Sequence, residues 1–107
     1  MEKGNLFNPV EKTPEEFLEI LAESSSGSSR IEHIVSHGHV SPENFWYDQD
    51  EYEFVAVLQG EAEIKFENEI IKMFPGDWII ISPHEKHRVV HTSTEPPCVW
   101  LAVFYKK

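Results

Sequence analysis

Residues 45–60, "FWYDQDEYEFVAVLQG", carry Tyr, Asp, Gln, Asp and Glu side chains ahead of a strand-and-turn signal, and contain no histidine. Further on, His87, Val89 and His91 alternate in "HRVVHT". Alternate side chains of a strand share a face, so Glu53 can point into a core while Phe54 points away, and His87 and His91 can point in together. One carboxylate and two imidazoles brought together, with carbonyl or water oxygens added, suit a divalent first-row metal better than calcium or magnesium, because imidazole favours the former. The same inward polar groups can instead line a wet pocket in which Trp46 and Tyr47 stack on a ligand and Asp48 and Gln49 fix its polar groups.

Other candidates weigh less. His37-Gly38-His39 is the only literal H-x-H, but His39 lies fourteen residues before Glu53, and Gly38 has the character of a strand end. His33 sits in the middle of a strand pattern and is expected to pack. His84, in the turn before His87, is placed to reach a barrel mouth and contact a substrate. Asp50 and Glu51 are expected on a solvated edge whose like charges discourage strand pairing. No motif frames Cys98 as a nucleophile, and next to an apolar strand it is expected to be a small buried filler.

The elements that position these groups are short strands. "RIEHIVSH", "EFVAVLQ", "EAEIKFE", "WIIIS", "HRVVHT" and "VWLAVFY" follow one another with turn signals between them. In "EAEIKFE", Ala62, Ile64 and Phe66 alternate with Glu61, Glu63 and Lys65, giving one dry and one wet face. Pro75-Gly76 in "FPGDW" suits a type II turn. Six or seven strands between residues 30 and 107 predict an all-β barrel or sandwich. Ahead of them, "TPEEFLEILAES" predicts a short helix, with Thr13 as cap, Pro14 at the first position and Glu16 completing a capping box. "SSSGSS" (residues 24–29) is expected to tether that helix to the barrel, so that residues 1–29 form an appendage and 30–107 the domain.

"EFVAVLQGEAEI" followed by "PGDWIIISPHEKHRVV" resembles the two motifs of the cupin family, small barrels of the jelly-roll type. The resemblance spans roughly residues 30–105 and rests on two motifs in the right order. Glu53, six residues and Gly60 match the end of the first motif, and Gly76-Asp77 with His87 match the second. The H-x-H that opens the first motif is replaced: its places fall on Tyr47 and Gln49, or on Trp46 and Asp48 if the spacer is one residue longer.

The resemblance implies a barrel site for a divalent transition metal (Fe, Mn, Zn, Ni or Cu), a small polar ligand, or both. The implied metal ligands are Glu53 and His87, supported by Gln49, Asp48 and His91, with Tyr47 or His84 moving protons. Gln49 offers a neutral carbonyl oxygen, Asp48 a charged one, and Tyr47 a phenol that ligates well only when deprotonated, from a reference pKa of about 10. Such a set holds metal less tightly than three histidines and a glutamate. Members of the family include isomerases, dioxygenases, epimerases and metal-free binding or regulatory modules, so the fold alone does not choose the reaction.

Composition bounds the rest. With 107 residues the chain has room for one core, and 40% hydrophobic content is enough to pack it. Nineteen acidic residues against nine basic give a formal charge of -10, which argues against nucleic acid and anionic membranes as partners. The single cysteine cannot form an internal disulfide, and the chain opens without an apolar leader, so a cytoplasmic location is the expectation. The outward-facing aromatics predict a homodimer.

Overall fold

The computed structural model describes all of residues 1–107. It contains eight strands and no helix: β1 (Phe17–Glu23), β2 (Ser29–Ser36), β3 (Tyr52–Gln59), β4 (Ala62–Phe66), β5 (Ile70–Met73), β6 (Trp78–Ile81), β7 (His87–Thr92) and β8 (Cys98–Tyr105). They form two antiparallel sheets, one ordered β1-β2-β8-β3-β6 and the other β5-β4-β7. This is the two-sheet jelly-roll arrangement expected of an all-β chain.

The core follows from strand periodicity. Cys98, Trp100, Ala102 and Phe104, every second residue of β8, join Val55 and Val57 of β3 and Ile81 of β6 on one sheet and pack with Ala62 and Ile64 of β4 and Met73 of β5 from the other in one buried cluster. The "FPGDW" turn closes as expected: Asp77 donates its N–H to the Phe74 carbonyl (2.9 Å), and Gly76 adopts φ +94. This turn also grips β3, since Val57 N–H donates to the Asp77 carbonyl (3.1 Å) and Gly76 N–H to the Val57 carbonyl (2.8 Å). The Gly-Asp pair thus anchors the strand that carries Glu53.

The amino-terminal helix is not formed. Residues Phe17–Glu23 are β1, which pairs with β2 from Phe17↔Val35 to Glu23↔Arg30 and carries a bulge between Ile20 and Ala22. About three turns of amphipathic helix are marginal alone, whereas the free edge of β2 offers a ladder of unpaired backbone groups. A run such as "FLEILAE" fits either period, and the sheet decides it. Glu16 is therefore free of the capping box and instead accepts a hydrogen bond from Ser36 Oγ (2.8 Å). The serine-rich segment expected to be a tether closes the β1–β2 hairpin, with Ser24 N–H donating to the Ser29 carbonyl (2.9 Å). The boundary expected at residue 29 thus falls inside a hairpin. No helix is long and apolar enough to cross a membrane.

Candidate functional site

Between the two sheets lies a cavity of about 140 Å³, open at one end. Nine of its fourteen lining residues are hydrophobic; the other five are Glu16, Glu32, Gln49, Glu53 and His87. No lysine or arginine lines it.

The polar end is built by pairing a short extended segment against the start of β7. Tyr47 N–H donates to the His87 carbonyl (2.8 Å), and His87 N–H donates to the Tyr47 carbonyl (3.2 Å). Strand alternation then turns Tyr47 and Gln49 inward and Asp48 outward. Of the two pairs weighed for the H-x-H places, Tyr47 and Gln49 face the cavity. The Tyr47 ring stacks on the His87 imidazole, with centroids 5.5 Å apart. Gln49 Nε2 donates to Glu53 Oε1 (3.0 Å). Glu53, on β3, places the same oxygen 3.6 Å from His87 Nε2, an ion-pair distance longer than a hydrogen bond. Glu53 is 9% exposed and His87 5%.

His87 Nδ1 lies 2.9 Å from the Glu85 carbonyl. That acceptor fixes the proton on Nδ1 and leaves Nε2 facing the Glu53 carboxylate. Burial opposes a charge on the ring, but Glu53 together with Glu85 outweighs it and raises the His87 pKa above its ordinary value. Burial, and then the charges of Glu16 and Glu53, raise the Tyr47 phenol, so Tyr47 is a neutral hydrogen-bonding group near neutral pH rather than a phenolate.

Besides Asp48, two expected site residues lie elsewhere. His91 is exposed, 3.6 Å from Glu61. The β4–β7 register shifts between Glu63↔His91 and Ile64↔Val89, and this bulge breaks the alternation that would have aligned His91 with His87. His84, at φ 63, is also exposed. Its Nδ1 meets Asp48 Oδ1 at 2.8 Å and its N–H donates to the Gln49 carbonyl (2.7 Å), so it clasps the outer side of the 47–49 segment and does not line the cavity. His33 is buried, with Nδ1 2.9 Å from Glu19 Oε1. His37 and His39 interact with one another, and His39 Nε2 reaches the Thr13 carbonyl (2.8 Å).

Sequence reasoning missed two lining residues, Glu32 and Glu16. The alternation Glu32-Ile34-Ser36 in β2 carried a signal for the first. The helical reading of β1 hid the second.

The donor set does not fit a divalent transition metal held by three or four protein ligands. No three or more His, Cys, Asp or Glu side chains are placed to hold one metal ion together. Of the expected ligands only Glu53 and His87 converge. Gln49 turns its amide N–H toward Glu53, Tyr47 keeps its proton, and Asp48 and His91 face away.

Cys98 is completely buried, and burial pushes its thiol up to about 12. The expected result is that a thiol-specific alkylating reagent modifies the native protein no faster than it unfolds, and reacts fully in denaturant. Fast labelling of the native state would show that the strand opens locally.

Residues 31–104 match the Cupin_2 family, described as a cupin domain. A crystal structure from Ralstonia eutropha JMP134, of a protein described as a candidate mannose-6-phosphate isomerase, is 39% identical over 100% of both chains, with a TM-score of 0.93. A cupin superfamily protein from Desulfitobacterium hafniense is 18% identical over 92% of this chain and 84% of its own, with a TM-score of 0.76. The Cupin_2 domain of an XRE-family transcriptional regulator from Enterobacter cloacae is 16% identical over 86% of this chain and 97% of its own (TM-score 0.70). No curated protein matches the sequence. The family match spans well over half of the chain and joins the two motif segments, one carrying Glu53 and the other His87, in a single barrel: the chain belongs to the Cupin_2 family of cupin domains.

Proposed function

We propose that the barrel binds a small carbonyl compound and moves a proton on it with the Glu53–His87 pair, an isomerase-type reaction that needs no bound metal. The observation that carries this reading is the pair itself, a carboxylate and an imidazole, both buried, 3.6 Å apart in the lining of a mostly apolar cavity. Glu53 as carboxylate takes the proton from the carbon next to the carbonyl. In a 2-hydroxy carbonyl compound His87, protonated at Nε2, gives its proton to the carbonyl oxygen. The neutral ring then takes the proton of the adjacent hydroxyl while Glu53 returns its proton to the former carbonyl carbon, which completes the isomerisation and restores both groups. Gln49 orients the carboxylate, and stacking of Tyr47 fixes the plane of the imidazole. The Ralstonia neighbour, 39% identical throughout and described as a candidate isomerase, supports the reaction class.

The test follows solvent deuterium into dihydroxyacetone and hydroxyacetone in D₂O by proton NMR. Wild type is expected to accelerate the exchange, and E53Q to lose the acceleration by about 100-fold or more. Equal exchange with and without wild-type protein rejects the reaction. Elemental analysis tests the competing reading, in which Glu53 and His87 hold a divalent cation: stoichiometric metal that vanishes in E53A or H87A would favour it.

A second copy of this chain is proposed to cover the outer face of β3 and β6. Phe54 stacks on Trp78 there (5.6 Å), and Trp78 and Ile80 are 58% and 48% exposed. Sedimentation at micromolar concentration is expected to give twice the 12.4 kDa chain mass, and W78E to give the single chain. A 12.4 kDa species for wild type rejects the dimer.

A further inference from the structure

The turn that precedes β7 reaches both halves of the Glu53–His87 pair. Residues 82–85 are closed by two bonds, from Glu85 N–H to the Ser82 carbonyl (3.1 Å) and from Ser82 N–H to Glu85 Oε1 (3.1 Å). From this turn the Glu85 carbonyl meets the His87 ring at Nδ1 (2.9 Å). Its neighbour His84 holds the segment that carries Tyr47 and Gln49. Between Tyr47 and the start of β3 at Tyr52, the one backbone hydrogen bond is that from His84 N–H to the Gln49 carbonyl (2.7 Å). The His84 ring adds a second hold, with Nδ1 2.8 Å from Oδ1 of Asp48, the residue between the two that face the cavity.

His84 is one of two non-glycine residues with a positive φ, at 63. A glycine would adopt that conformation without the steric penalty that a Cβ incurs. What the histidine brings is the ring that meets Asp48. Neither side chain belongs to the core, since His84 is 68% exposed and Asp48 44%. An exposed pair of this kind contributes little to folding stability, so its effect falls on where residues 47–49 lie and not on whether the barrel forms. Misplacing a reacting group by about 1 Å is enough to slow a reaction by up to about 100-fold.

We infer that His84 and Asp48 are positioning residues for the proton transfer. From outside the barrel their clasp holds Gln49 where its amide orients the Glu53 carboxylate, and Tyr47 where its ring stacks on His87. The inference rests on the reading of Glu53 and His87 as the reacting pair, and it gives His84 no contact with the substrate.

Four variants test this. H84G keeps the left-handed backbone and removes the ring, D48A removes the carboxylate, a double variant removes both, and D48N keeps an oxygen for the ring. Three quantities are followed: deuterium incorporation into dihydroxyacetone, solvent exchange of the Gln49 side-chain amide, and the NMR titration of the His87 ring. H84G and D48A are each expected to lower kcat about tenfold while KM changes less than about twofold. Both should also speed exchange of the Gln49 amide, move the His87 titration down toward that of E53Q, and leave the melting temperature near that of wild type. D48N is expected to retain most of the activity. The double variant should be no slower than either single variant, because all three remove the same contact. Unchanged Gln49 exchange and His87 titration in H84G and D48A overturn the inference, whatever happens to the rate. So does a double variant whose loss is the product of the two single losses. If wild type incorporates no deuterium and both variants still alter the Gln49 and His87 signals, the clasp stands as a positioning device and the proton-transfer reading falls.

Discussion

In E53Q, the His87 imidazole is expected to titrate at a lower pH than in wild type, where it titrates above the ordinary histidine value of 6.5. The ring is 5% exposed, and burial alone favours its neutral form. The carboxylate of Glu53 at 3.6 Å reverses that preference, and the amide of E53Q cannot. The change also appears in stability. In wild type the folded state holds the His87 proton more tightly than the unfolded chain. Its contribution to stability is therefore complete below about pH 6.5 and is lost as pH rises through the folded-state value.

The melting temperature of wild type should thus fall across that window more steeply than that of E53Q. Removing one partner of a buried pair usually costs several kcal/mol, because the other charge is stranded. Here the imidazole escapes by releasing its proton, so the deficit of E53Q is expected to shrink as pH rises. NMR titration of the His87 ring checks the first result, and melting curves at several pH values check the second. An unchanged His87 titration in E53Q would show that Glu53 does not hold the imidazolium, and the proton-transfer reading would lose its acid.

The same pair shows how far the sequence could be read. Glu53 and His87 were legible through the two motif segments, Glu53 seven residues before Gly60 and His87 ten residues after Asp77 of the Gly76-Asp77 pair. Strand alternation also accounts for the buried row from Cys98 to Phe104 in β8. It failed at His91, because a bulge changes the phase of a strand without any residue in "HRVVHT" announcing it.

At β1 a local capping box competed with the edge of β2, and the partner that holds β2 in place, β8, lies more than sixty residues further on (Ile34↔Trp100) and leaves no trace in "TPEEFLEILAES". That error also concealed Glu16, a carboxylate among the residues lining the cavity. The position of Asp48 could not be read at all from sequence. Whether residues 46 and 48 or 47 and 49 face inward depends on the pairing of Tyr47 with His87, a contact across forty residues.

Gly60→Ala is expected to be the most destabilising single-methyl change near the site, at about 2–4 kcal/mol from left-handed backbone strain plus overpacking. Gly60 ends the strand that carries Glu53, adopts φ +76, and lies against the 93–98 loop. An added Cβ would collide with Ser93 Oγ and come within 2.8 Å of the Pro97 carbonyl oxygen and 3.0 Å of Cys98 Cα. Only the serine side chain can swing aside. The other two atoms are backbone at the start of β8, whose Cys98 and Trp100 are buried in the core.

Relief therefore requires β3 and β8 to separate, or the β3–β4 turn to rotate, and either movement displaces the strand that sets Glu53 opposite His87. G60A should accordingly lower the midpoint of urea unfolding and broaden the Trp100 indole signal, whereas Gly27→Ala meets no neighbour and incurs only the strain of its positive φ. Equal destabilisation by the two variants would mean that backbone conformation alone, and not the close approach of the 93–98 loop, makes glycine necessary at position 60.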